Sequence, residues 1–300
     1  MAKHILVAGS INMDLTITAP RRPQMGETLA GSGFCASPGG KGANQAAACA
    51  LLGAEVRMLG CVGKDLYGDE LIASLTEKGV DCSAVERADC PTGVAVITVV
   101  DGDNCIILDE GANGRVTAEM TARHEELFEW ADTVLLQLEI PTEAVMTAAR
   151  LGKKHGANVV INPAPMKKLP PEAARLSDWF MPNRSEAELF LGHEIDSPEA
   201  AAREIRERGA ANVLITLGSS GSIALTDEGL HRFGIYKVEA VDTTAAGDSF
   251  IAGFAVCDGT TDERLAYASA VSAIAVGRRG AQSSLPTAAE VKSFLEERDK

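Results

Sequence analysis

Aromatic side chains are scarce in this 300-residue chain, at 4% of the total, which leaves little surface for stacking a nucleobase as the reacting substrate. Basic residues are in the minority too. Lys and Arg number 28 against 42 Asp and Glu, and the net charge of −14 disfavours nucleic-acid backbones and anionic membranes, while leaving room for a local positive pocket. The seven cysteines (35, 49, 61, 82, 90, 105, 257) are odd in number and include no Cys-x-x-Cys pair. They indicate neither a disulfide framework nor a zinc ribbon, and fit a reducing cytoplasm. Five scattered histidines (4, 124, 155, 193, 231) lack metal-ligand spacing, and no catalytic Cys–His pair stands out. No apolar run is long enough to span a bilayer, and the first, Ile5–Ala8, is too short for a signal-peptide core. A Pro-, Gly- or Ser-rich linker and internal repeats are likewise missing, so one main domain over residues 1–300 is expected.

Two nucleotide motifs are absent as well. Gly39-Gly40-Lys41 has no glycine five residues before its Gly-Lys pair and no Ser or Thr after it, and Gly63-Lys64-Asp65 fails the same test, so neither is a Walker A loop. Gly9-Ser10-Ile11-Asn12 follows the first apolar run where a dinucleotide-binding fingerprint would stand, which removes the main support for nicotinamide chemistry.

What is present is an alternation. Ile5–Ala8, Val56–Leu59, Val134–Leu138, Val159–Ile161, Trp179–Met181 and Val213–Leu217 read as strands, separated mostly by segments of 3.6-residue periodicity. That order predicts an α/β fold with a largely parallel sheet flanked by helices. Helix starts carry recognisable caps, with Pro198 at N1 after Ser197 and a capping box from Thr287 to Glu290. Leu15–Cys35 and Gly93–Asp109 break the pattern as short strands joined by turns, the second with Asp101-Gly102-Asp103-Asn104 as a hairpin turn. They predict a small inserted β-sheet, spanning about residues 15–36 and 92–109, that closes over a substrate as a lid.

The most informative stretch is Asp242-Thr243-Thr244-Ala245-Ala246-Gly247-Asp248-Ser249-Phe250. Small residues ending at a helix start near Ala246 aim unpaired N–H groups and the positive end of the dipole at an anion. A carboxylate beside a phosphate repels it, so Asp248 makes sense with a partner in between, such as a hydroxyl giving up its proton. The competing reading, a first-turn acid with no further duty, stands beside it.

Other loops can join this site. Pro38-Gly39-Gly40-Lys41-Gly42-Ala43-Asn44 presents backbone N–H groups, a lysine and an amide at a helix start, suited to sugar hydroxyls and a passing phosphate, or else is a tight turn with a solvated lysine. Asn183 and Glu186 read as a helix cap, as a nucleotide–magnesium site, or as both at once. Thr216 to Gly221 is a glycine turn after a strand, and Arg278 to Ser284 is rich in carbonyls and hydroxyls.

These residues together resemble the ribokinase family of sugar and nucleoside kinases, essentially end to end: Gly9 to Asp14, Gly26-Glu27-Thr28, Gly39 to Asn44, Gln137-Leu138-Glu139, Asn183 with Glu186, Thr216 to Gly221 and Asp242 to Asp248. The resemblance implies a ribokinase-like fold and ATP-dependent phosphorylation of the 5-hydroxyl of D-ribose. Asp248 would be the base, with Ala245, Ala246 and Gly247 as the anion hole. It implies that Asn12, Asp14, Gly40, Lys41, Asn44 and Glu139 grip the sugar, together with Asp248. Asn183 and Glu186 would serve the nucleotide and its magnesium, while Thr216, Gly218, Gly221, Gly247 and Ser269 lie along ATP. Asp242, Thr244, Ala275, Arg278, Gly280 and Ser284 match positions that bind an activating monovalent cation, potassium, mostly through carbonyls. A homodimer through the lid sheet is implied too.

The chain departs from the family pattern at Arg184-Ser185, where an acid-threonine pair is common, and at Ser269, where relatives often have Asn or His. Rival readings are a sister kinase for deoxyribose, fructose or a nucleoside, and a catalytically silent sugar- or nucleotide-binding protein. Asp14 and Glu139 favour a polyhydroxylated sugar, since buried acids would be left unpaired by a substrate lacking hydroxyls. The presence of Asp248 and Gly247 speaks against silence.

Overall fold

A computed structural model describes residues 2–101, 103–167 and 169–298. Gly102, the second residue of the expected hairpin turn, lies outside the described residues.

The strands are β1 (His4–Ala8), β2 (Asn12–Thr18), β3 (Ser32–Gly39), β4 (Glu55–Gly63), β5 (Val80–Ala88), β6 (Gly93–Val100), β7 (Asp103–Asp109), β8 (Thr133–Leu136), β9 (Asn158–Ile161), β10 (Trp179–Phe180), β11 (Asn212–Thr216), β12 (Ser222–Thr226) and β13 (Gly229–Phe233). The large sheet has the order β13-β12-β11-β10-β9-β8-β1-β4-β5. It is parallel from β11 to β5, and β12 and β13 add an antiparallel edge.

Side-chain alternation divides the core between the two faces of this sheet. Leu6, Val134, Leu136, Val159, Ile161, Phe180, Val213 and Ile215 belong to one apolar cluster, whereas Ile5, Val7, Leu135, Val160, Trp179 and Leu214 belong to the other. Strands buried on both faces read as near-continuous apolar runs, which is why these were visible in the sequence. The helices Thr142–His155 and Pro198–Glu207 cover the first face. Lys41–Leu51, Leu66–Glu77, Ala246–Val256 and Thr261–Val276 cover the second. The expected caps are present: Ser197 accepts from the Ala200 N–H ahead of Pro198, and Thr287 and Glu290 form a capping box.

A second sheet of four strands, β3-β2-β6-β7, accounts for both segments that broke the alternation. It reaches further than the sequence indicated, because β2 starts at Asn12 and β3 runs to Gly39. That extension matters for position. Only Gly9, Ser10 and Ile11 separate β1 from β2, and β3 leads directly into the helix Lys41–Leu51, so the base of the small sheet stands on the carboxyl edge of the large one.

Candidate functional site at the carboxyl edge of the sheet

In an open parallel sheet the crevice lies outside the carboxyl ends of the strands, at the point where successive crossovers change direction. Here the chain leaves β1 for β4 and β5 on one side and returns to β8 on the other. The residues just after β1 (Gly9 to Asn12), β8 (Gln137 to Glu139), β9 (Asn162) and β10 (Asn183) therefore meet at one edge.

Glu139, 8% exposed, organises the side expected to hold the sugar. Its Oε2 accepts from the Ser10 hydroxyl at 2.5 Å, the Lys41 backbone N–H at 3.1 Å and the Asn12 amide at 3.4 Å. Asn12 is fixed at its other end by Asn113, whose Nδ2 donates to Asn12 Oδ1 at 2.6 Å. Asn113 also bonds the backbone N–H and carbonyl of Ile11, so one buried side chain ties the end of the small sheet to the start of β2. Glycines make this packing possible. A Cβ at Gly39 would land on the Asp14 carboxyl, one at Gly93 on Asn113 and Asn12, and one at Gly40 would sit 2.7 Å from the Asn12 backbone nitrogen.

Asp248 lies in the first turn of Ala246–Val256 and is 5% exposed. Its Oδ2 accepts from Asn44 at 3.0 Å and its Oδ1 from Gln45 at 3.1 Å, both on the helix Lys41–Leu51. Two helices thus present their first turns to one point. Asn44 Oδ1 is buried without a protein partner, an acceptor free for a hydroxyl donor. At the start of the second helix, Ala245 adopts a left-handed conformation with φ 58°, which turns the chain so that Ala246 begins the helix.

Charge crowds this corner. Burial, reinforced by Glu139 and Asp248, pushes the Asp14 carboxyl up to about 7, with Lys41 opposing. The Asp248 carboxylate, with Glu139, Glu186 and Asp14, holds the Lys41 ammonium above its usual range despite the cost of burial. Glu186 is pushed up by burial and by Asp248, while the Asn183 N–H and Lys41 pull it back. Lys41, a residue of intermediate exposure, is thus the positive group that faces four acids.

The capping-box reading of Asn183 and Glu186 does hold. Asn183 Oδ1 accepts from the Glu186 N–H and Glu186 Oε2 from the Asn183 N–H, each at 2.8 Å. Glu186 keeps its second carboxylate oxygen free of these bonds. Asn183 also bridges to Thr216, which brings together the two segments expected to serve a nucleotide.

Beyond them a cavity of about 320 Å³ is lined by Thr216, Gly218, Gly221, Gly247, Ser269 and neighbours that include Tyr236, Val238 and Phe250. None of its lining side chains is charged. All five residues expected along ATP thus face one space, and Ser269 is turned to the Gly234 carbonyl at 3.3 Å.

The segments expected to bind a monovalent cation are partly assembled. Asp242 Oδ1 accepts from Thr244 N–H and hydroxyl, and Oδ2 from the Gly280 N–H at 2.9 Å. Burial raises the Asp242 carboxyl, but these bonds outweigh it and hold it below the usual range. The Ala275 carbonyl accepts from the Arg278 N–H, the Arg278 guanidinium turns away to Glu290, and the Ser284 hydroxyl bonds the Ala281 carbonyl. An acid plus hard oxygens fits a cation of this kind, with Arg278 contributing by its carbonyl alone. Among the described residues no three His, Cys, Asp or Glu side chains gather as a metal cage. Magnesium does not need one, since it binds through one or two carboxylates, waters and substrate phosphates.

Sequence reasoning assigned no role to Ser10, Gln45, Asn113, Gln137 or Asn162. Gly234, Ile235, Tyr236, Val238 and Ala240, which follow β13 and wall the cavity, were unread as well.

Comparison with known proteins fixes the family. The profile of the pfkB family carbohydrate kinases matches residues 2–288. The chain is 38% identical to a ribokinase of Haemophilus influenzae, covering 99% of each chain, and 36% identical to a deoxyribokinase of Salmonella typhimurium, covering 97% of this chain and 98% of the relative. Among solved structures, an Arabidopsis thaliana ribokinase complexed with ribose and ATP superposes with a TM-score of 0.93 at 33% identity, over 99% of each chain.

Proposed function

The chain belongs to the pfkB family of carbohydrate kinases, and from that premise we propose that it transfers the γ-phosphoryl group of ATP to the 5-hydroxyl of D-ribose, giving D-ribose 5-phosphate and ADP. The class, an ATP-dependent sugar kinase, follows from the family and its full-length ribokinase relatives. One observation carries the residue roles: Asp248 is buried at a helix start with each oxygen held by an amide, beside a cluster of sugar-type hydrogen-bonding groups and an uncharged cavity.

In this reading Asn12, Asp14, Lys41, Asn44 and Glu139 hold the sugar hydroxyls. Gly40 keeps the loop backbone close to Asn12. Asp248 takes the proton of the 5-hydroxyl as its oxygen bonds phosphorus and the β–γ bridging P–O bond breaks; the proton later leaves to solvent. The transition state is loose, so positioning of the hydroxyl contributes more than early proton removal. The N–H groups of Ala245, Ala246 and Gly247 face the charge on the moving group. Thr216, Gly218, Gly221 and Ser269 lie along the nucleotide, which supplies the phosphoryl group with its magnesium neutralising phosphate charge, and Asn183 and Glu186 would hold that metal through its waters. Asp242, Thr244, Ala275, Arg278, Gly280 and Ser284 would hold potassium and so brace the anion-hole loop.

The small sheet acts as a lid in this reading. It is also an interface: Phe34, Ile106 and Ile107 are exposed at 67%, 55% and 75%, and β3 and β7 are open edges, the features of a surface that pairs with a second copy. No helix among the described residues is long and apolar enough to cross a membrane, and a cytoplasmic site of action fits the free cysteines.

The test is ADP release from ATP and magnesium with D-ribose, 2-deoxyribose, fructose and adenosine in parallel, followed by identification of the sugar phosphate. Ribose-dependent turnover giving the 5-phosphate is expected. Preference for another acceptor moves the substrate, and binding without turnover would return the silent binding protein.

A further inference from the structure

We infer that a relay of buried amides, Asn162 and Gln137 acting through Gln45, fixes the orientation of Asp248. The inference rests on the reading of Asp248 as the base.

Three side chains that no role has claimed form one line beneath Asp248. Gln45 and Gln137 are fully buried and Asn162 is 6% exposed. Gln45 Nε2 donates to Asp248 Oδ1 at 3.1 Å and to Asn162 Oδ1 at 3.3 Å, and Gln45 Oε1 accepts from Gln137 Nε2 at 2.6 Å. Asn162 Nδ2 in turn donates to the Met181 carbonyl at 2.9 Å. A side-chain amide has two ends that differ only by a half-turn, and a wrong half-turn at Gln45 would point an oxygen at the carboxylate.

The network removes that choice from a fixed starting point. The Met181 carbonyl can only accept, so Asn162 must give it the NH₂ and keep its oxygen for Gln45. Gln45 must then answer with its NH₂, which places the second hydrogen of that group on Asp248 and leaves its own oxygen for the Gln137 NH₂. Met181, Asn162 and Gln137 follow β10, β9 and β8, three adjacent parallel strands, so the register of the sheet itself sets the chain of donors. Gly9, after β1, completes the arrangement: a Cβ there would fall on Gln137 Oε1. With Asn44 on Oδ2, the second donor on Oδ1 leaves the carboxylate little freedom to rotate.

The assignment makes Gln45 and Gln137 positioning residues whose loss appears in kcat. Gln45→Met keeps the volume and removes the donor; kcat per folded molecule, with folding checked by circular dichroism, should fall roughly 10- to 100-fold while KM for D-ribose stays within about threefold. Gln137→Met, which does not touch Asp248, should lower kcat less, by roughly 3- to 10-fold, because Asn162 still sets the half-turn of Gln45 and only the hold on its Oε1 is lost. The double variant should be no worse than Gln45→Met alone, since both act through one contact. Should Gln45→Met not fold, Gln137→Met and its KM-against-kcat split carry the test.

Asp248→Asn is measured alongside. Loss of turnover there, with wild-type kcat in folded Gln45→Met or Gln137→Met, overturns the relay alone. Multiplicative losses in the double variant also overturn it, since they indicate independent packing defects. Near-wild-type turnover in Asp248→Asn removes the reading on which the relay stands.

Discussion

Under the proposed function, the two halves of the cleft recognise by opposite means. On the proposed sugar side, buried acids, amides and a serine already hydrogen-bond one another through side chains from five segments. The proposed nucleotide side is a cavity of about 320 Å³ walled by glycine turns and apolar side chains, with no charge in its lining. Buried polar groups are costly when left unpaired, so the sugar side discriminates by what a substrate fails to satisfy. The other side discriminates by shape and by backbone donors, which tolerate change in any single side chain.

The sharpest break in that contrast is at the point where the halves meet. Asp248→Asn should lower kcat by roughly 10²- to 10⁴-fold with little change in the affinity for either substrate, read by ADP release at saturation. A kcat near wild type would end the assignment of Asp248.

Next in size is Asn113→Ala, which cuts the tie between Asn12 and the turn that follows β7. We expect KM for D-ribose to rise roughly 10- to 100-fold, as for leaving buried partners unsatisfied, with KM for ATP unmoved. Equal rises in both constants would mean that the halves are not separable.

Asp14 gives the sugar side a pH signature. Its carboxyl is pushed up to about 7, and an ionised carboxylate accepts hydroxyl bonds better than a neutral one. KM for D-ribose should therefore fall as pH rises through about 7, and Asp14→Asn should flatten that dependence while KM for ATP shows none of it. Stability runs the other way. The folded value lies above the unfolded 3.8, so the stability contributed by the neutral form is complete below that pH and is lost as pH climbs to about 7. Asp14→Asn should match the wild-type stability near pH 4 and exceed it at pH 8 by on the order of a few kcal/mol, read as a higher Tm. A lower Tm for the variant at pH 8 would contradict the electrostatic account.

The smallest effect is expected at Ser269→Ala on the nucleotide side, whose hydroxyl is directed to the Gly234 carbonyl. KM for ATP should change less than roughly threefold, the scale of one modest hydrogen bond. A tenfold change would give the cavity a side-chain specificity that the contrast denies it.

The same contrast decided what the sequence revealed. Strands buried on both faces announced themselves as apolar runs, and β1, β4, β8, β9, β10 and β11 fell within a few residues of their expected positions. β5 and β13 did not, because half-exposed edge strands carry mixed residues without a clear period, and neither did β12, which is buried but whose apolar run is interrupted by Ser222 and Thr226. Asp248, Lys41 and Glu139 were legible because a charge in a small-residue loop is chemically conspicuous. Gln45, Asn113, Gln137 and Asn162 are neutral amides whose duty exists only once four distant segments converge, and single-residue chemistry gives no sign of it. Gln137 stood inside a quoted motif, yet only the approach of Gly9 shows what it is for. Thr216, Gly218 and Gly221 could be placed at a strand end but not aimed, since backbone recognition leaves its trace only in glycines.

The most direct test compares discrimination on the two sides in one experiment: kcat/KM for D-ribose against 2-deoxyribose with ATP, and for ATP against GTP with D-ribose. The account predicts a ribose preference of roughly 100-fold or more, exceeding the nucleotide preference by at least about tenfold. A nucleotide preference larger than the sugar preference would contradict it.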